Sequence, residues 1–363
     1  MADHSIFKEA PTVAMASPDG ESDQSVHHLG YRGWSGERTP LWTRWIVISK
    51  VGIRRSWENR WLKRLLFFAW LPAVWFGLGF FLWEQAANYP EWRQIVTPMI
   101  QNLPPDPVLD EIKEAVQSGT LAKARHTVWS WLLNAFIRYP QPVLMVLVIG
   151  LISPPLISQD IRSRAFLLYF SRPLTRGEYL LGKMATLWAY LALITTVPAL
   201  TQYAIGVVLS PNLGVIAATW DIPFRILAAS VVLMLPTSAL ALCFSSLTQE
   251  SRNAAFAWFA IWILGWFTYG AVSTAEAFNT QQEFQRHARD HRFRQRGAVE
   301  DLPVRQESVW THLSLYHTLG RVQSWIFGFS KMKDVLASIA ILVVITCVSL
   351  VVLFYRVSAP MRV

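Results

Sequence analysis

Long apolar runs separated by short polar stretches set the pattern of this chain: Leu65–Trp83, Pro142–Ser158, Met184–Leu209, Ile226–Leu247, Ala254–Thr274 and Val335–Tyr355. Each approaches the roughly 20 residues that carry an α-helix across a bilayer. None holds an Asp, Glu, Lys or Arg, and the shortest, 142–158, contains Pro154–Pro155 near its end. Barrel strands would instead show alternating segments of about ten residues. The pattern predicts an all-α integral membrane protein, a six-transmembrane-helix bundle.

The flanks refine that picture. Residues 1–40 are polar, with no apolar core for a cleaved signal, and read as a disordered cytoplasmic tail. Residues 41–64 interleave Trp42, Trp45, Trp57 and Trp61 with basic side chains. This suits an N-terminal interfacial helix, indoles among lipid headgroups and arginines on phosphates. Arg54, Arg55, Arg60, Lys63 and Arg64 precede the first span, while only Arg93 closely follows it, so the N-terminus is expected in the cytoplasm. Spans, turns and loops across 65–356 then form the six-helix membrane domain, and the tail 357–363 is cytoplasmic again. Segments 84–141 and 275–334 become helical extracytoplasmic loops, with 107–118 and 124–138 reading as helices. One count opposes this. The loop 275–334 carries nine basic residues, and over the whole chain the two sides divide 18 to 15. Long segments translocate largely regardless of charge, so the assignment stands.

Composition agrees with a membrane protein. Of 363 residues, 53% are hydrophobic and 16% charged, against about 25% charged in an ordinary soluble domain. The 18 Trp and 20 Phe fit interfacial belts. A net charge of +9 suits anionic membrane lipids better than nucleic acid, for which no binding motif is present. Cys243 and Cys347 form neither a metal spacing nor a disulfide framework.

The segment 159–183, QDIRSRAFLLYFSRPLTRGEYLLGK, is the one sizeable loop on the expected cytoplasmic side. Ser158 is placed to cap a short helix with Asp160 in its first turn. Ile161, Ala165 and Leu168 share one face, with Arg162 and Arg164 elsewhere. Pro173 stops that helix. Thr175 and Glu178 form a T-x-x-E capping box that opens a new helix running into the third span. Within it, Gly177 to Lys183 matches G-x-x-x-x-G-K, but Met184 stands where a phosphate loop needs Ser or Thr, and no strand precedes it. Nucleotide binding is therefore not expected there.

The same residues carry a resemblance. Asp160, Tyr169, Ser171, Arg172, Pro173, Thr175, Arg176, Glu178, Tyr179, Gly182 and Lys183 resemble the first cytoplasmic loop of ABC transporter permeases of the type-2 exporter class. Leu313 to His317 is similar to that family's L-S-x-x-H element in the last outer loop. The resemblance spans roughly Leu41 to Arg356. It implies a permease of the cytoplasmic (inner) membrane without ATPase activity of its own, working with a separate ABC ATPase that binds ATP and magnesium. It also implies pairing with a second copy or a related permease. By the same resemblance Asp160 to Leu168, including Ile161, Arg162 and Arg164, act as a coupling helix. Arg172, Arg176 and Glu178 brace the loop through ion pairs, and Tyr169, Pro173, Tyr179, Gly182 and Lys183 complete it.

Other features are weaker. Ion-coupled transporters keep carboxylates or His within the bilayer, and the six runs have neither, so an external energy source is expected. Trp258, Trp262 and Trp266 recur at i, i+4, i+8 and are candidates for a substrate path or dimer seam. Pro72, Pro198 and Pro236 are candidate kinks. His287, Asp290 and His291 have a metal-like spacing, but the arginines around them disfavour a cation. No catalytic constellation and no metal site is expected. The alternative reading is a non-transporting membrane scaffold that recruits envelope proteins through its outer loops.

Overall fold

A computed structural model describes residues 43–102, 107–121, 123–165, 169, 174–293, 312 and 314–358, with the backbone alone at 107, 280, 281 and 283–293. Expectations for the tail 1–40, for Phe166 to Leu168 and for Arg172, Pro173 and Leu313 lie outside the described residues.

Helix α1 (Arg44–Trp57) buries only Ser49 and Gly52 and leaves Ile46, Val47 and Val51 exposed. The interfacial stretch is interrupted after it, because Asn59 accepts a hydrogen bond from the Trp61 amide and starts α2 (Arg60–Phe68). After a break at Ala69 and Trp70, α3 (Leu71–Asn88) begins with Pro72 in its first turn. A proline there gives up an amide that has no intrahelical partner, so Pro72 marks a helix start rather than a kink.

Two helices, α4 (Pro90–Gln101) and α5 (Pro107–Gln117), follow. Then α6 (Arg125–Arg138) and α7 (Pro140–Arg162) run on as one 38-residue span. The helices expected at 107–118 and 124–138 are α5 and α6.

Next, α8 (Arg176–Ile194) and α9 (Thr196–Leu209) meet at Thr195, just ahead of Pro198. The short α10 (Gly214–Ala218) leads to α11 (Ile222–Leu247), which passes Pro236 without interruption. Helix α12 (Ser251–Phe293) is far longer than the fifth apolar run. It carries His287, Asp290 and His291 in its final turns, where side chains are outside the description. The chain closes with α13 (Leu315–Ile326) and α14 (Met332–Ser358).

Among the described residues, six helical spans are long and apolar enough to cross a membrane, and no strand occurs. The protein is an all-α membrane protein. The spans are longer than the apolar runs, because their ends carry charges that pair. Glu84, Arg125, Asp160 and Lys183 all fall within helical spans. The expectation of spans free of charge fails at their ends.

Helices α7 and α11 sit at the centre, and α12 lies outermost. One apolar core runs through α7, α8, α11 and α14, with Met145, Ile149, Tyr179, Leu187 and Leu233 fully or nearly fully buried. A second gathers Phe80, Trp129, Leu133 and Phe136 from α3 and α6 with Ile226 of α11.

Pro154 and Pro155 remove two backbone donors from α7, and α11 adds a side-chain bridge in the turn that follows them. The Ser245 hydroxyl oxygen accepts from the Ile157 and Ser158 amides at 3.1 Å each and donates to the Pro154 carbonyl at 2.7 Å. Ser158 donates to the same carbonyl at 2.6 Å. Neighbouring hydroxyls are how a proline-broken helix stays satisfied in lipid.

Candidate functional site at the α1 face

The α1 face carries the end of α7, the start of α8 and the C-terminal end of α14. Here the structure departs from the expected loop. Ser158 and Asp160 do not open a new helix. They are the last turns of α7, which continues to Arg162 with the Ser245 hydroxyl on its Ile157 and Ser158 amides. Ser158 therefore caps nothing, and its hydroxyl points back to Pro154.

Asp160 is buried, which removes it from any surface of contact. Its carboxylate accepts the Tyr179 hydroxyl at 2.7 Å and meets Lys183 Nζ at 2.7 Å. Lys183 also donates to the Leu156 carbonyl at 2.7 Å, and its ammonium lies 5.3 Å from the Tyr179 ring centroid. The three groups lock α7 to α8. Tyr169 packs beside Tyr179, with ring centroids 5.8 Å apart. Burial raises the Tyr169 hydroxyl above its ordinary pKa, and the Asp160 charge adds to that.

Thr175 and Glu178 make the expected capping box. The Thr175 hydroxyl oxygen accepts the Glu178 amide, and Glu178 Oε2 accepts the Thr175 amide at 2.8 Å. Glu178 is thus spent on its own helix. Arg176 donates to Ser358 Oγ at 2.8 Å and so ties α8 to α14. Neither residue makes an ion pair among the described residues, and Arg172, the third member of the expected bracing, lies outside them. The glycine–lysine run lies inside α8, where the amides are bound along the helix and cannot cradle phosphate.

Gly182 has a role the loop reading missed. A Cβ there would lie 2.7 Å from Ile48 Cβ and 2.8 Å from the Trp45 carbonyl oxygen, and one on Gly52 would lie 2.5 Å from Thr186 Oγ1. Both glycines let α1 lie directly on α8. Tyr190 then donates to the Ile53 carbonyl at 2.8 Å and stacks on Trp57. No single motif signals this; it needs two distant glycines read together.

What is exposed at this face is basic. Arg162, Ser163 and Arg164 project where α7 ends, and Arg164 takes a left-handed φ of 53° to turn the chain. Such a conformation costs a non-glycine residue about 1 kcal/mol. Ile161 is only partly exposed and packs on the core. Arg162 approaches Glu250 at 3.8 Å, an exposed pair joining the ends of α7 and α11.

The opposite face is held by similar devices. Glu84 is fully buried and takes Arg125 Nε at 2.9 Å and Trp129 Nε1 at 3.1 Å. Asp221 accepts from His126 at 3.0 Å and from Arg225 at 2.7 Å. Its burial works upward, but the His126 bond and both neighbouring charges bring its pKa below the usual value. His317 of α13 stacks on Tyr269 at 3.2 Å between centroids and shares a hydrogen bond with Ser314. Burial first, then the charges of Arg138 and Arg321, lower its pKa to about 4.

The tryptophan stripe divides. Trp258 is buried and donates to the Val146 carbonyl at 2.9 Å, and Trp262 is buried beside it. Trp266 is exposed. Within this chain the stripe is thus two buried indoles and one exposed. Among the described residues no cluster of ligating side chains could hold a metal ion.

Against these features, a family model described as ABC-2 family transporter protein matches residues 13–359. No curated protein matches the chain.

Proposed function

We propose, from the premise that this chain belongs to the ABC-2 family of transporter proteins, that it is the permease subunit of an ATP-driven exporter and couples to a separate ABC ATPase at its α1 face. The chain is a multi-pass membrane protein, and membership makes it a permease subunit of an ABC transporter. In this reading the α1 face is cytoplasmic, both chain ends lie there, and the membrane is the inner one. ATP and magnesium are bound and hydrolysed on the partner. The permease works with a second copy of itself or a related permease.

Division of labour at that face carries the reading. The Asp160–Tyr179–Lys183 lock makes the base of the 163–175 segment rigid. Arg162 and Arg164 stand exposed at its edge, as a docking surface requires. A rigid base passes a push from the partner into α7 and α8 rather than absorbing it. The contact therefore rests on Arg162 and Arg164, and the buried lock transmits it.

The test is capture of an ATPase on tagged full-length protein in mild detergent, with mass spectrometry of what is retained. Wild type is expected to retain a Walker-motif ATPase. The doubly reversed Arg162→Glu/Arg164→Glu variant, still folded by its thermal unfolding, is expected to lose it. Equal retention by both, or no ATPase with wild type, overturns the coupling assignment.

A further inference from the structure

A cavity of about 590 Å³ lies between α1, the start of α2 and the last three turns of α7. Its size is in the range of small-molecule sites, and its inner end is closed by Asp160 and Lys183 of the lock with Tyr169 and Leu174. Leu62, Leu151, Ile152, Pro155 and Leu156 supply an apolar wall. Val47 and Val51 line it and are themselves exposed, so it opens along α1.

The charge on its walls is unbalanced. Lys183 and Asp160 neutralise each other, which leaves Arg44 and Arg55. Arg55 donates through one nitrogen to Gln159 Oε1 at 2.7 Å and makes no other side-chain hydrogen bond or ion pair among the described residues. A guanidinium has five N–H donors, arranged to fit a phosphate bidentately. Arg44 makes no side-chain hydrogen bond or ion pair among the described residues. Its charge acts on Glu178, which is already engaged with Thr175.

An apolar wall continuing into a membrane span, met by arginine at the mouth, matches one kind of ligand. We infer that this cavity binds a phosphate carried on an apolar tail, an anionic phospholipid of the surrounding leaflet, with the phosphate on Arg55 beside Gln159 and the tail along Leu62, Leu151 and Ile152. The lipid fills the gap between α1 and α7. This inference does not depend on the ATPase partner.

The experiment titrates dioleoylphosphatidylglycerol into the delipidated full chain in neutral detergent and counts retained molecules by native mass spectrometry. Parallel arms use dioleoylphosphatidylcholine and glycerol 3-phosphate. One phosphatidylglycerol is expected on wild type, with phosphatidylcholine weaker and glycerol 3-phosphate not retained. Arg55→Gln is expected to weaken retention by roughly tenfold, the scale of one lost charge-assisted hydrogen bond. Val51→Trp, at an exposed position, fills the mouth and should weaken it as much without touching a charge. Equal binding by wild type and both variants, or none by wild type, overturns the site. Retention of glycerol 3-phosphate with displacement of the lipid overturns the lipid assignment in favour of a soluble phosphate ester.

Discussion

Asp160 and Lys183 meet at 2.7 Å across the interface of α7 and α8, both buried, with the Tyr179 hydroxyl on the same carboxylate. Removing one partner of a buried pair leaves the other charge uncompensated, at a cost of about 3–5 kcal/mol. Asp160→Asn and Lys183→Met are each expected to lower the thermal unfolding temperature in detergent. The double variant should recover much of the loss, because two neutral groups need no compensation. If the double variant is as unstable as the sum of the singles, the pair is not the lock described.

Gly182 sets the distance between α1 and α8. Gly182→Leu forces its side chain against Ile48 and the Trp45 carbonyl, and overpacking of this kind costs about 1–3 kcal/mol. α1 is expected to lift off and its backbone to fray, so that trypsin cleaves faster after the already exposed Arg54 and Arg55 in limited proteolysis. Unchanged cleavage would show that α1 docks by other contacts.

Ser245 completes the hydrogen bonding of a neighbouring helix. In Ser245→Ala the Ile157 and Ser158 amides and the Pro154 carbonyl lose the hydroxyl that bridges them, and such a hydrogen bond contributes about 0.5–1.5 kcal/mol. Hydrogen exchange of α7 near 157–158 is expected to rise, while exchange of α11 changes little. Unchanged exchange at both amides would mean that α7 does not depend on α11 there.

His317 predicts a pH dependence. In the folded chain its pKa is depressed to about 4, against an ordinary value of 6.5. Between those values the unfolded chain holds a proton that the folded chain does not, so stability rises with pH across that window. The contribution is fully present above pH 6.5, is lost as pH falls toward 4, and is constant below. The slope of unfolding temperature against pH over this range is expected to flatten in His317→Gln. An identical slope in the variant would assign the window to other groups.

Much of the architecture was legible because lipid imposes its own grammar. Six runs without charge could only be spans, and the Thr175–Glu178 capping box needed no tertiary information, since its partners are three residues apart. The boundaries were less so. Asp160 reads as a helix start because charge after an apolar run suggests a change of medium; its partner Lys183 is 23 positions away, and no local rule joins them. The Pro154–Pro155 pair blurs where the second run ends, and the Ser245 hydroxyl that bonds the turn after it comes from another helix. The tryptophan stripe was legible as spacing alone; that Trp258 and Trp262 are buried and Trp266 exposed depends on which neighbours pack along α12.

With Ser245 seated in its gap, α7 has no free joint at the double proline. Together with α6 it makes a span of 38 residues, roughly 57 Å at 1.5 Å per residue and well beyond the thickness of the hydrocarbon layer. The helix is interrupted at Tyr139, where Pro140 starts α7. In mechanical terms the central element is a jointed strut, its α7 segment spliced to α11 by the Ser245 hydroxyl.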